Sequence, residues 1–116
     1  MSLADRLAQA MAAHQPRMQR MFGGTGFLVN DNLVIGTMKE GLIVRIGPEA
    51  IPAALDDSPH AEQARMGGRV MTGWVMVSPD GCEGADLAIW VDRAMAFNRS
   101  LPPAAAKTAK TAKRKT

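Results

Sequence analysis

"RMFGGTGFLVNDNLVIG", Arg20 to Gly36, decides the fold, because Gly23, Gly24 and Gly26 either cradle a phosphate or bend a strand. A phosphate loop sets two glycines around four residues and follows them with Lys and then Ser or Thr, since backbone N–H groups hold the phosphates and the lysine neutralises them. Here Phe27 and Leu28 follow Gly26. The dinucleotide fingerprint needs a further glycine three residues on, and Val29 stands at that offset. The run also leads into alternating apolar residues, not into a helix whose amino end would face an anion. Glycines inside a strand mark a bulge, a tight coil or the close approach of another backbone, and the stretch reads as a bend.

Working outward, Phe27 and Val29, then Leu33, Ile35 and Thr37, then Leu42, Val44 and Ile46 alternate with residues of an opposite face, the two-residue period of strands. The short connections "NDN" at Asn30 to Asn32 and "KEG" at Lys39 to Gly41 suit antiparallel hairpins. A three-stranded meander is expected. Upstream, Leu3, Leu7, Ala10, Met11 and His14 share one helical face, so a helix is expected from Leu3 to His14. Ser2 and Asp5 form a capping-box pattern at its start, and Pro16 stops it.

Downstream, "GPEAIPAALDD", Gly47 to Asp57, predicts a short helix that Pro52 keeps brief. "GGRVMTGWVMVSP", Gly67 to Pro79, predicts two short strands, Val70 to Thr72 and Trp74 to Val77, divided by Gly73. A last helix is expected from Asp86 to Arg99, with Leu87, Trp90, Val91, Ala94 and Phe97 or Asn98 at helical spacing. Pro102 and Pro103 end it. Beyond them "AAAKTAKTAKRKT" repeats K-T-A and holds no large apolar residue, so residues 102–116 are expected to be a disordered basic tail and residues 1–101 a single domain.

The bulk numbers agree: 116 residues, 47% hydrophobic and 22% charged, are those of one globular domain. The amino end lacks the apolar core of a signal peptide and no run nears the roughly 18 apolar residues of a membrane span. A cytoplasmic protein with no membrane partner is expected. Cys82 is the only cysteine, which excludes an intrachain disulfide and a Cys-rich zinc site and leaves a small filler or an idle thiol. The net charge of +3 is local to the end of the chain: Lys107, Lys110, Lys113, Arg114 and Lys115 sit together there. Without these five, nine basic residues face 11 acidic ones, and residues 1 to 103 carry about −2.

Candidate chemistry is sparse. His14 lies beside an apolar helix face and His60 in the polar "DDSPHAEQ" loop, neither with a partner at metal-ligand spacing. Asp56 and Asp57 are sequence neighbours that cap a helix or remain solvated, and Ser58, Ser78 and Ser100 lack a G-x-S-x-G context. No catalytic constellation, metal site or cofactor is expected. The nine methionines suit core filling more than an adaptable binding surface, and Arg17, Arg20 and Arg45 fall on the exposed face of the meander. The five tail cations can contact about as many phosphates, giving weak, salt-sensitive, sequence-independent attraction to nucleic acid, or they only solubilise the chain. No aromatics are interleaved to stack on bases.

The runs "RMFGGTGFLV", "LIVRIG", "GRVMTGWVMV" and "LAIWVDRAM" together resemble the N-terminal domain of the TfoX/Sxy competence regulators over about Arg17 to Phe97. The most specific pieces are M-F-G-G-x-G, with Met21, Phe22, Gly23, Gly24 and Gly26, and L-x-x-W-x-x-x-A at Leu87, Trp90 and Ala94; Trp74 marks the run before them. The resemblance implies a two-layer α+β fold, α-β-β-β-α-β-β-α, with an antiparallel sheet and helices packed against it, in agreement with the order above. It implies that the glycines are structural and offers no catalytic residue or cofactor. The best known members of that family act as positive regulators of DNA-uptake genes in concert with a cyclic-AMP-responsive activator. The expected function is therefore a non-enzymatic regulatory domain that works through a protein partner in transcription. The alternative is a nucleic-acid-associated protein that binds through its tail, and a small-ligand site near Gly23 to Gly26 is a third reading. Edge strands of the meander can pair across a homodimer or be shielded by charge.

Overall fold

The computed structural model describes residues 2–21, 23–38 and 41–101. Helix α1, Leu3–Met11, starts at the capping box expected from Ser2 and Asp5. Ser2 Oγ accepts from the Asp5 N–H at 3.1 Å, and the Asp5 carboxylate accepts from the Ser2 N–H at 3.4 Å. Two of the amide hydrogens left over at a helix start are thereby satisfied. The helix tightens into a 3₁₀ turn over Ala12–His14 and leaves through Gln15, whose φ is 51°, ahead of Pro16.

Four strands follow: β1 Arg17–Met21, β2 Gly24–Val29, β3 Asn32–Met38 and β4 Gly41–Arg45. A 3₁₀ turn, Pro48–Ala50, leads into the brief helix α2, Ile51–Asp57, with its proline in the first turn. Then come β5 Ala61–Met66, β6 Arg69–Val77, a 3₁₀ turn Pro79–Cys82 and helix α3, Ala85–Arg99. All pairs are antiparallel and the sheet order is β1-β2-β3-β4-β6-β5. The fold is α+β, with helices packed on an antiparallel sheet.

Two details differ from the sequence reading. Arg17–Met21 is a strand in its own right, so four strands precede α2 where three were expected. Its residues "RMQRM" are almost all exposed, as befits an edge strand, and carry no apolar stripe to announce it. Secondly, Gly73 does not divide two strands: β6 runs through it, and its hairpin partner is Ala61–Met66, which begins inside the polar "DDSPHAEQ" stretch expected to be a loop. Strand β5 is the other edge, and its core-facing positions are filled by Ala61 and Gln63, so the alternation is muted.

The register aligns a row of side chains across all six strands: Met18, Phe27, Ile35, Val44, Val75 and Gln63. Phe27, Ile35, Val44 and Val75 are fully buried and pack with Leu7 and Met11 of α1, Ile51 and Ala54 of α2, and Leu87, Trp90, Val91, Ala94 and Met95 of α3. Each large apolar side chain removed from water contributes about 1.5–3 kcal/mol, which makes this layer the main source of stability. Because successive residues of a strand face opposite ways, the neighbouring row of Gln19, Gly26, Gly36, Ile43, Met76 and Glu62 lies on the far face.

At one end of the sheet the Gly73 carbonyl accepts from both the Ile46 and Gly47 N–H groups, at 2.9 and 3.0 Å. Gly73 has φ of 88°, a conformation open to glycine at no cost. Pairing of β4 with β6 stops there, at Arg45 opposite Trp74. Residues 69–72 of β6 continue with β5 alone, as a two-stranded ribbon beyond the sheet.

Candidate protein-contact groove

The glycine-bearing hairpin joins β1 to β2, and its glycines make room for other groups. A Cβ on Gly24 would run into the Thr37 carbonyl oxygen, and one on Gly26 would stand 2.5 Å from Met21 Sδ and 2.9 Å from Leu33 Cδ1. Gly23 has φ of 74° with open space around it. The Thr25 N–H donates to Thr37 Oγ1 at 3.0 Å, knitting the curved β2 to β3. Phe22 lies outside the described residues.

The other motif residues lie on β6 and α3. Leu87 and Trp90 are buried on α3, and the Trp90 indole N–H donates to the Gly81 carbonyl at 3.2 Å, tying the helix to the turn before it. Trp74 stands opposite Arg45, whose guanidinium lies 5.7 Å from the Trp74 ring centre and 5.5 Å from that of Phe97. Arg17 pairs instead with Asp31 at 3.2 Å. Arg17 and Arg20, three apart on a strand, face opposite ways, so the three arginines do not form the shared patch expected of them. Lys107, Lys110, Lys113, Arg114 and Lys115 lie outside the described residues. Met11 and Met95 serve the core, whereas Met18 and Met66 are exposed.

Between α3 and the α2–β5 turn lies a groove of about 350 Å³, bordered by Asp57, Ser58, Pro59, His60, Asp86, Ile89, Trp90 and Arg93. Arg93 organises it. Its Nη2 donates to Asp57 Oδ2 at 2.9 Å, and the guanidinium lies 4.8 Å from the Trp90 ring centre. Its Nη1 is buried without a hydrogen-bond partner. Asp57 therefore has a specific partner and is not merely solvated. The turn is fixed by the His60 N–H, which donates to Ser58 Oγ at 3.3 Å, and by the His60 carbonyl, which accepts from the Ser78 N–H at 2.9 Å. Ile89, 45% exposed, offers an apolar side chain on the rim. Sequence reading missed Arg93; the available signal was its i, i+3 spacing from Trp90, which stacks side chains on a helix.

Cys82 belongs to the core and does not serve the groove. Burial pushes its thiol from 9.0 up to about 11, and its Sγ donates to the Ser78 carbonyl at 3.3 Å. The thiolate that a nucleophile needs is thereby suppressed. Among the described residues no three His, Cys, Asp or Glu side chains are grouped to hold a metal, and no helix is long and apolar enough to cross a membrane.

A small two-layer α+β domain, with an antiparallel sheet, glycines at close strand contacts and a charged groove beside its last helix, is the class of protein these features define. Residues 8–98 match the model of the TfoX N-terminal domain, and the chain belongs to that family, which is not a known enzyme family. Neither curated proteins nor solved structures include a significant match.

Proposed function

We propose that this chain is a non-enzymatic regulatory domain that acts in the cytoplasm through protein contacts in the control of transcription. The observation that carries the reading is the groove beside α3: an exposed Ile89 stands next to a guanidinium that Asp57 and Trp90 hold in place. A fixed cation beside an apolar side chain suits recognition of another protein, where arginine and apolar anchors supply most of the binding energy. The resemblance to the TfoX/Sxy regulators supports transcription as the setting and a cyclic-AMP-responsive activator as the first partner to try. Affinity capture from nuclease-treated lysate tests the reading: recovery of transcription components is expected, and recovery of none, with or without nuclease, counts against it.

A second reading keeps the tail as a nonspecific nucleic-acid anchor. It is supported by the concentration of Lys107, Lys110, Lys113, Arg114 and Lys115 in one short stretch that holds no acidic residue. Replacing Lys107, Lys110, Lys113, Arg114 and Lys115 with Gln tests it. Loss of DNA binding supports the anchor, and unchanged binding sinks it.

A further inference from the structure

We propose that the tip of the β5–β6 ribbon is a nucleic-acid-binding arm that enters a groove of duplex DNA. It shares a ligand with the tail reading but stands on different residues. The ribbon leaves the sheet where β4 ends, and its four residues 69–72 at about 3.4 Å each extend it by about 14 Å. Its turn is Gly67–Gly68, with φ of 58° and 81°, the two positive values of a tight hairpin that matches strand twist.

Chemistry at the tip is of two kinds. Arg65 stands opposite Val70 and Met66 opposite Arg69, so each face of the ribbon presents one guanidinium and one apolar side chain. Met66 and Val70 are 40% and 51% exposed, and both arginines are exposed and form no ion pair among the described residues. From Gln63 to Pro79 the sequence holds no Asp or Glu to repel a phosphate. Arginine contacts to phosphate with apolar side chains against base steps are the combination by which narrow protein arms hold the minor groove, and β-ribbons enter either groove of a duplex.

The arm is braced at its base. The two N–H groups of the Gln63 side-chain amide serve the carbonyls of Met71 at 2.9 Å and Trp74 at 3.0 Å, with the Ala64 carbonyl at 3.2 Å sharing one of them, and so clamp the bulge between the strands. Arg45 holds Trp74 from the β4 side. Glu62, Asp80 and Asp86 lie toward the other end of the hairpin, where Ala61 pairs with Val77 and the Pro79–Cys82 turn leads into α3, and Asp57 and Glu83 there are paired with Arg93 and Arg6.

The test is fluorescence anisotropy of a labelled random 20-base-pair duplex with the full chain at about 50 and 200 mM salt. Three variants are compared with the wild type: R65A/R69A, R65K/R69K, and the full chain with its five tail cations changed to Gln. The proposal expects R65A/R69A to bind about tenfold more weakly at the lower salt and to lower the salt slope by about 2, one per lost phosphate contact. The lysine pair keeps the slope. Tail neutralisation leaves measurable binding at the lower salt. Equal binding by wild type and R65A/R69A overturns the arm while leaving the tail reading intact, and no binding by the wild type overturns both. Arg65 and Arg69 are exposed, and an unchanged circular dichroism spectrum verifies that the variants fold.

Discussion

Arg93 on α3 and Asp57 at the end of α2 meet at 2.9 Å across a gap of 36 residues in sequence, and the same guanidinium lies over the ring of Trp90. The pair joins the last helix to the second and shapes one wall of the groove. Asp57 is largely exposed, so the ion pair contributes at most about 1 kcal/mol and the ring contact about as much again. R93A is therefore expected to lose about 1–2 kcal/mol, and D57N less, in urea unfolding. R93K retains the charge but not the planar stacking, and falls between wild type and R93A. A loss in D57N as large as in R93A contradicts this division.

The glycine hairpin gives a graded prediction. Gly24→Ala drives a methyl group into the Thr37 carbonyl, which cannot retreat without disturbing the β2–β3 ladder, and costs about 1–3 kcal/mol. Gly23→Ala meets open space but takes on a positive φ, costing about 1–2 kcal/mol. Gly26→Ala presses on Met21, whose thioether can swing away, and on Leu33, so its cost is the smallest of the three. Thermal unfolding ranks them. Added ATP is expected to leave the wild-type midpoint unmoved, whereas a ligand at 100 times its Kd stabilises by about 2.7 kcal/mol.

The Cys82 thiol fixes the sign of an alkaline effect. Its value of about 11 in the folded chain exceeds the 9.0 of an exposed thiol, so between these values the unfolded chain loses the proton while the folded chain keeps it. The stabilising contribution is full below pH 9 and fades up to about pH 11, with a slope of at most about 1.4 kcal/mol per pH unit. C82A lacks this component, so its stability falls less steeply over the same window in urea melts. For the same reason alkylation of native Cys82 at pH 8 proceeds far more slowly than in the denatured chain.

What the sequence disclosed depended on how much each element buries. The capping box at Ser2, the alternation from Phe27 to Ile46 and the stripe of Leu87, Trp90, Val91 and Ala94 report a strong local bond or heavy burial, and each formed where expected. The edge strands β1 and β5 bury little, so "RMQRM" and "AEQARM" carry no comparable signal. Gly73 was legible as an irregularity, yet its carbonyl's two donors come from Ile46 and Gly47, far away in the chain, which no local pattern contains. The groove was hidden for the same reason: Arg93 is an ordinary surface arginine until the fold brings Asp57 to it.

The most direct measurement compares nuclease-treated affinity capture by the full wild-type chain with capture by Ile89→Arg, quantifying transcription components in each. Ile89 is exposed, so the change leaves the core intact while placing a charge on the rim beside Arg93. The account predicts enrichment of a transcription component by the wild type and its loss, by at least about tenfold, in the variant. Equal recovery by both, or none by either, contradicts a protein-contact role for the groove.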